Sequence, residues 1–198
     1  MSKWQLPPDG GHMERPDGVY LQTMNMTEIN ARLKTNDVII IPVGSTECHG
    51  AAQPLGEDTF LVTRMAEQVA LATGCTVAEP VWYGSHPYNH LGMPGTIVVP
   101  EDAFLANLRA IIAGLWNMGF RKQIFLNGHG QEEVIPLALH QWAKKYQVPC
   151  MLVSLHWPTV IHDHLKDKAH GGPFETPFQH ACEVEASYSL ALFPEFMH

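Results

Sequence analysis

The stretch DVIIIPV, residues 37–43, indicates the fold of this chain. Its valines and isoleucines make it apolar on both faces, which is typical of a central strand in a parallel sheet. It ends at Gly44-Ser45, and the polar segment 46–58 follows. Because parallel α/β sheets bind ligands beyond the carboxyl ends of their strands, segment 46–58 is the first candidate for a functional site.

Helical and extended apolar patterns alternate on both sides of this strand. The spacing predicts helices over 27–34, 59–72, 101–118 and 133–146, and further strands over 76–80, 123–126 and 150–155. Thr27 is a candidate cap of the first helix, and Gly119 is expected to end the third. Leu61, Met65, Val69 and Ala72 share one face of the second helix. This alternation predicts an α/β layered fold around a mostly parallel sheet.

All 198 residues are interpreted as one domain, in which residues 1–18, rich in Pro and Gly, form an extended tail. The formal net charge of −8 argues against nucleic-acid binding, which needs clustered Lys and Arg, and against anionic membranes. No run approaches the ~20 apolar residues that a membrane span requires. The four cysteines are scattered without a Cys-x-x-Cys pair, which favours reduced thiols and a cytoplasmic protein.

Two polar segments follow predicted strands and carry candidate metal ligands. Glu47 and His49 are two residues apart, so an extended backbone places them on one face. Asp58 closes the same loop, where its carboxylate could bridge two ions. His129 lies between two glycines that follow the later strand. Imidazole and carboxylate ligands together suit Zn, Mn or Fe, and paired ions of this kind serve hydrolytic enzymes.

Each of these residues also has a purely structural interpretation. Glu47 could cap a helix, and His49 could be a hydrogen-bonded loop histidine. Asp58 could be the N-cap of the helix that begins near Thr59. Their combination at predicted strand ends favours the metal site, although spacing alone leaves both interpretations open.

Four ordered sequence blocks, running from about Val38 to Ser187, resemble the signature of the creatininase family. The blocks are Pro42 to Asp58, with PVGSTECHG and PLGED; Tyr83-Gly84, His90 and MPGTI at 93–97; NGHG at 127–130; and HACEVEAS at 180–187. The resemblance implies a metal-dependent hydrolase with a three-layer α/β/α sandwich fold. It also implies a homo-oligomer, often a hexamer.

The same resemblance implies two divalent metal ions (Zn, Mn or Fe) and assigns roles to single residues. Glu47 and His129 would hold one ion, His49 the other, and Asp58 would bridge. The remaining carboxylate is expected from Glu185, with Glu132 as the alternative, because the position two after His129 is Gln131, a neutral and weaker ligand. His180 matches the histidine that acts as the proton shuttle; its structural alternative is a hydrogen bond at a helix start.

The departures from the family pattern bear on the substrate. Gln131, and Gln53 where an imidazole is usual, argue against creatinine. The sequence of these blocks is more similar to family members that cleave a C–C bond of an oxidised inositol, the cyclic diketone 3-dehydro-scyllo-inosose, in inositol catabolism. The candidate substrate contacts are Gln53, Gln131, Glu132 and the aromatic loop with Trp82, Tyr83, Tyr88, Asn89 and His90. Such a loop can also form a subunit contact. There are two alternatives. One is a cyclic amide hydrolase. The other is a catalytically inactive binding protein on the same fold, which Gln131, Cys182 and Ala186 favour.

Overall fold

Four parallel strands form one sheet in the computed structural model, which describes residues 18–87 and 90–198 apart from the side chain of Asp163. The sheet order is β2-β1-β3-β4. The strands are β1 Val38–Val43, β2 Thr76–Val77, β3 Lys122–Asn127 and β4 Met151–His156. The helices are α1 Met26–Leu33, α2 Glu57–Thr73, α3 Glu101–Met118, α4 Val134–Tyr146, α5 Trp157–Val160 and α6 Glu183–Leu192. The predicted tail, apart from Gly18, lies outside the described residues.

Strand β1 occupies the centre of the sheet, as its two apolar faces predict. It pairs along its whole length with β3, from Val38 opposite Lys122 to Val43 opposite Asn127. Its other neighbour, β2, pairs over two residues only, which is shorter than the predicted 76–80. Pro80 has no N–H to donate, so regular pairing stops before it, and contact resumes at the single bridge from Val43 to Val81.

Helices cover both faces of the sheet and confirm the three-layer α/β/α sandwich. Helices α1, α3 and α4 pack on the face that carries Ile39 and Ile41. Helices α2, α5 and α6 pack on the face that carries Ile40. Alternate residues of β1 therefore enter two separate apolar clusters, as the period of a strand requires. No helix of the described residues is long and apolar enough to cross a membrane.

The first two helices begin earlier than predicted. The side chain of Asn25, not Thr27, caps α1, because its amide oxygen accepts from two backbone N–H groups and Glu28 closes a capping box. Helix α2 begins at Glu57, with Gly56 as its N-cap, so Asp58 lies inside the first turn. The interpretation of Asp58 as an N-cap is therefore wrong.

The apolar face of α2 was predicted only in part. The structure buries Leu61 together with Val62, Ala66 and Ala70, whereas Val69 is exposed. The helix also buries polar residues of its first turns, because that end lies against a polar cluster rather than against apolar side chains. The C-terminal helices α5 and α6 were not predicted. Helix α6 starts at a capping box between Cys182 and Glu185, which has none of the Ser, Thr, Asp or Asn residues that usually signal a helix start.

Candidate metal centre

The pairing of β1 with β3 brings the two polar segments together at the carboxyl edge of the sheet. Val43 and Asn127 are paired, so the loops that follow them start side by side. The second loop passes so close to α2 that a Cβ on Gly128 would lie 2.3 Å from the Asp58 carbonyl oxygen. Only glycine permits this approach, which places His129 beside Asp58.

Asp58 lies at the centre of the site, with its two oxygens facing different imidazoles. Oδ2 is 3.2 Å from His129 Nδ1, and Oδ1 is 3.6 Å from His49 Nε2. The hydroxyl of Ser45 donates to Oδ2 at 2.5 Å, which fixes the rotation of the carboxylate. All of these side chains are buried. The carboxylate is thus shared between two groups of potential ligands.

The first group surrounds Glu47. Its Oε1 lies 2.9 Å from His129 Nδ1, and its Oε2 lies 2.6 Å from His90 Nδ1 and 3.2 Å from His86 Nδ1. One ligand atom from each of these four residues falls within 4.8 Å of the others. The two carboxylate oxygens thus have separate surroundings: one faces His129, and the other lies against the loop histidines.

The second group surrounds His49 and contains carboxylates from two helices. His49 Nε2 is 3.6 Å from Glu57 Oε2 and 3.6 Å from Asp58 Oδ1, and Glu185 completes the set within 4.8 Å. Ser189 donates to Glu57 Oε1 at 2.9 Å, and the Cys182 N–H donates to Glu185 Oε2 at 3.3 Å. Helix α6 therefore supplies Glu185 to the group and also holds the Glu57 carboxylate at the start of α2.

The donor chemistry and the unsatisfied atoms fit metal ions at these groups. Three buried atoms of these two groups have no hydrogen-bond partner: Glu47 Oε1, His49 Nε2 and His129 Nε2. The 2.9 Å approach of His129 Nδ1 to Glu47 Oε1 lacks hydrogen-bond alignment, so proximity there does not satisfy the carboxylate. Leaving buried polar atoms unpaired is costly, and a coordinated cation would satisfy the carboxylate oxygen and the His49 nitrogen. Mixed imidazole and carboxylate sets suit Zn, Mn and Fe.

Opposite charges around Glu47 and Asp58 outweigh the effect of burial on the pKa values. Burial acts to raise the pKa of Glu47, but contacts with His129 and His86 lower it to about 2. Burial acts to lower the pKa values of His49 and His129, but pairing with Asp58 raises them to about 10 and about 9. The pKa of Asp58 is held well below its usual range by both imidazoles, against the effect of burial.

The second group holds more acidic side chains than one imidazole can neutralise. Burial first, and then repulsion from Asp58, raises the pKa of Glu57 well above its usual range. The same two causes raise the pKa of Glu185 to about 7. A divalent cation would relieve this crowding of carboxylates, since it favours their charged forms.

His180 lies at the outer side of both groups. Its ring is packed beside His49 and His90, with centroid separations of 4.6 and 4.8 Å. Nδ1 is 3.4 Å from Glu47 Oε1, and the side chain remains 33% exposed, more than any other histidine of the two groups described above. Burial lowers its pKa, which favours the neutral ring. It therefore combines contact with the ligand groups and access to solvent.

The structure separates the two candidates for the remaining carboxylate. Glu185 joins the His49 group, whereas the exposed Glu132 belongs to no such group among the described residues. The Gln131 amide is fully engaged: Oε1 accepts from Ser85 N–H, and Nε2 donates to the Gly44 carbonyl and to Asn127 Oδ1. Gln131 therefore connects neighbouring loops, and its substrate contact remains a prediction from the sequence.

The other predicted substrate contacts have mixed outcomes. His90 faces Glu47 directly and is buried, so it supports the ligand group. Gln53 is buried with an unpartnered amide oxygen. Tyr88 and Asn89 lie outside the described residues. Glu132 lines a cavity of about 200 Å³ that also exposes His86 and Gln131.

Two members of the ligand groups were missed from the sequence, Glu57 and His86. Glu57 is adjacent to Asp58, and the first turn of a helix directs successive residues to different sides, so sequence adjacency does not indicate that both enter one site. His86 follows Gly84-Ser85 in a loop without periodicity. The only sequence signal was its place near His90, four residues on.

A three-layer α/β/α fold with buried imidazole and carboxylate groups at the carboxyl edge of its sheet defines an α/β protein with a candidate metal centre. The chain belongs to the creatininase family, since the family model described as creatininase, creatinine amidohydrolase, matches residues 22–198. The resemblance of the sequence blocks to this family is thereby confirmed.

Individual relatives and a solved structure agree with the family. The chain is 67% identical over 186 residues to a 3-dehydro-scyllo-inosose hydrolase of Thermotoga maritima, covering 94% of this chain but 60% of that relative's length. It is 28% identical over 202 residues to a creatinine amidohydrolase of Pseudomonas putida, covering 90% of this chain and 74% of the relative. A solved structure described as creatininase Mn has a TM-score of 0.81 at 24% identity, covering 92% of this chain and 76% of that one.

Proposed function

We propose that this protein is a metal-dependent hydrolase that opens a small, hydroxyl-rich cyclic diketone, 3-dehydro-scyllo-inosose, by adding water across a C–C bond. The observation that carries the hydrolytic assignment is the Asp58 carboxylate, which faces His129 with one oxygen and His49 with the other. This arrangement offers two adjacent cation positions that share one ligand.

Glu47, His129 and Asp58 would hold the first ion, and His49, Asp58 and Glu185 the second, with Glu57 beside it. Two ions held there would supply Lewis acidity toward a substrate carbonyl and a more acidic water. The solved creatininase described with Mn supports a divalent metal of this kind in the same fold. Zn and Fe accept the same ligands, so the number and identity of the ions belong to this proposal.

The protein side chains would orient the substrate and move protons. Water adds to a ring carbonyl carbon, the adjacent C–C bond breaks, and a carboxylic acid forms at one end of the opened ring. The released carbon must take a proton. We assign this transfer to His180, which the exposure of a third of its side chain and the 3.4 Å distance from its Nδ1 to Glu47 Oε1 support.

The choice of substrate rests on the Thermotoga maritima relative, which is 67% identical over nearly the whole of this chain. Gln131 supports the same choice, since a neutral amide bound by Ser85, Gly44 and Asn127 does not supply the carboxylate expected of a creatinine-opening site. A homo-oligomer, hexameric by resemblance, and a cytoplasmic location remain predictions from the sequence.

Mass spectrometry of the Mn- or Zn-loaded protein, incubated with the diketone and with creatinine in parallel, tests the proposal. Gain of one water by the diketone alone supports it. Gain by creatinine alone would return the protein to cyclic amide hydrolysis, the alternative that the 28% identical Pseudomonas putida relative favours. No reaction of either compound would contradict the proposed substrate.

The Asp58→Asn variant separates an enzyme from a binding protein on the same fold. If the site is a metal centre for hydrolysis, the variant loses bound metal and turnover while it retains its fold by circular dichroism. If the protein only binds the diketone, calorimetry would show unchanged ligand affinity in the variant. Asn retains the shape of Asp, so a packing defect does not explain a loss.

A further inference from the structure

A short ladder of hydrogen bonds joins the segment that carries Glu47 to residues 96–97. The Ile97 N–H donates to the Thr46 carbonyl at 3.0 Å, and the Cys48 N–H donates to Thr96 Oγ1 at 3.1 Å. The second contact uses a side chain, so one hydroxyl holds the backbone N–H of Cys48. The neighbouring Gly95 has a φ of 86°, which only glycine adopts without strain.

The carbonyl of Cys48, the residue held by Thr96, meets the ring of His180. His180 Nε2 lies 2.8 Å from this oxygen. Because a carbonyl oxygen only accepts hydrogen bonds, Nε2 carries the proton, and the neutral ring keeps its lone pair on Nδ1. Nδ1 is the nitrogen that faces the ligand groups, 3.4 Å from Glu47 Oε1.

Ring packing alone does not fix this orientation. The rings of His49 and His90 lie beside His180, but a ring flip that exchanges its two nitrogens would preserve those contacts. The Cys48 carbonyl distinguishes the two orientations, because only Nε2–H bonds to it. Histidines at metal centres are commonly oriented by a backbone carbonyl in this way.

We propose that Thr96 is a positioning residue: by holding the Cys48 N–H it restrains the backbone of Cys48, whose carbonyl, in the next peptide unit, fixes the ring orientation and tautomer of His180, so that Nδ1 is the atom that exchanges a proton with the substrate. This inference rests on the proposed function in its use of His180. It assigns a role to the MPGTI segment, residues 93–97, which contributes no ligand.

Replacing the hydroxyl should change turnover more than substrate binding. In Thr96→Val the Cys48 N–H loses its acceptor and the Cys48 backbone, with the carbonyl that meets His180, is less restrained, so kcat should fall roughly 10- to 100-fold, the range found for groups that orient metal-site residues. KM and the metal content should change little, because Thr96 is not a ligand. Thr96→Ser keeps the oxygen and should restore most of the activity.

The matched control is Thr46→Val, which removes a threonine hydroxyl from the same segment. That hydroxyl donates to the Trp82 carbonyl and does not contact the Cys48 peptide. Equal losses in Thr46→Val and Thr96→Val, or no rescue by Thr96→Ser, would overturn the inference. Thr96→Ala replaces the valine variant if that protein does not fold.

A second measurement does not depend on the substrate. Long-range ¹H–¹⁵N spectra of the zinc-loaded protein report which nitrogen of His180 is protonated, with His180→Gln to assign the signal. The expected result is an Nε2-protonated ring in the native protein and in Thr96→Ser, and a mixture of tautomers in Thr96→Val. An Nδ1-protonated native ring, or an unchanged Thr96→Val spectrum, would contradict the inference even if the diketone is never consumed.

Discussion

At the scale of single residues, Gln131 shows a neutral amide with a structural role at a position where a carboxylate ligand was expected. Its oxygen accepts from the Ser85 N–H, and its nitrogen donates to two oxygens on neighbouring loops. A glutamate would keep the acceptor but lose both donated bonds, leaving the Gly44 carbonyl and the Asn127 side chain facing a carboxylate. A residue that the sequence presents as a weak metal ligand therefore connects neighbouring loops in the structure.

We therefore predict that Gln131→Glu destabilises the protein by about 1–3 kcal/mol, the usual cost of unpaired buried polar groups. Urea unfolding, followed by circular dichroism, measures the change. Gln68→Glu makes the same chemical change at an exposed position of α2 and should leave stability nearly unaltered. A Gln131→Glu protein as stable as the parent, with more bound metal, would indicate a ligand position instead.

Protons and metal ions should compete for the imidazoles of His49 and His129. The pKa values of His49 and His129 are raised to about 10 and about 9, so both rings carry a proton at neutral pH before a cation binds. A metal ion binds the neutral ring, so its binding should release protons, and affinity should fall as the pH decreases below about 9.

Titration calorimetry in two buffers of different ionisation enthalpy counts the released protons. The expected result is a binding enthalpy that differs between the buffers at pH 7 and a difference that shrinks above pH 9. His49→Ala should release fewer protons than the parent. Identical enthalpies in both buffers would show that the imidazoles are already neutral.

At the scale of helices and strands, two glycines of one helix have opposite roles. Gly119 ends α3 with a φ of 123°, and a Cβ there would lie 2.8 Å from Leu33 Cδ1 of α1. Gly114 lies inside the same helix on an exposed side, with open space where its Cβ would be. The first glycine is required by backbone conformation and packing, and the second is not.

Gly119→Ala should therefore lower the free energy of unfolding by at least about 1 kcal/mol, because alanine cannot adopt that backbone conformation without strain. Gly114→Ala should raise it by about 0.5–1 kcal/mol, because alanine favours the helix interior. Thermal unfolding of both variants against the parent measures the opposite signs. Equal shifts in one direction would refute this assignment of the two glycines.

The sequence predicted these elements unequally, for physical reasons. The unbroken apolar run of β1 and the helical period of α3 carry strong signals, and their bounds agree with the structure within a residue. The start of helix α2 lies two residues before the predicted one, because its first turn is buried among polar side chains that hydrophobic periodicity does not detect. Helix α6 depends on docking to α2 and starts at a cysteine, so local pattern does not reveal it.

The site follows the same rule. Glu47, His49 and His129 lie in loops that follow strands, Asp58 lies where the loop after β1 enters α2, and the structure brings all four together. Glu185 could be inferred only through the family resemblance, since its neighbourhood is set by long-range packing of α6. Glu57 and His86 were missed because their orientations depend on the exact turn of a helix and of an irregular loop.

At the scale of the whole molecule, the candidate centre joins segments that are far apart in the chain. Loops after β1 and β3, the start of α2, the loop that carries His86 and His90, and helix α6 all contribute ligand-type atoms. A bound ion should therefore stabilise the complete fold and not one loop, because it binds only when these segments are assembled.

Removing divalent metal with a chelator should accordingly lower the midpoint of thermal unfolding, and adding Mn or Zn should restore it. The differential scanning measurement should show one cooperative transition that shifts as a whole. Asp58→Asn should abolish most of the shift, since this carboxylate is common to both groups. A metal-dependent shift of unchanged size in that variant would place the ion elsewhere.

The spread of these ligands along the chain has a consequence for synthesis. Glu47, Asp58 and His129 all precede Glu185 by more than 50 residues, so the proposed first ion position can assemble on β1, β3 and α2 before helix α6 is made. In the proposed two-ion arrangement, a nascent chain would therefore pass through a stage with one finished and one unfinished ion position. Capture of the second ion would have to wait until α6 leaves the exit tunnel and docks.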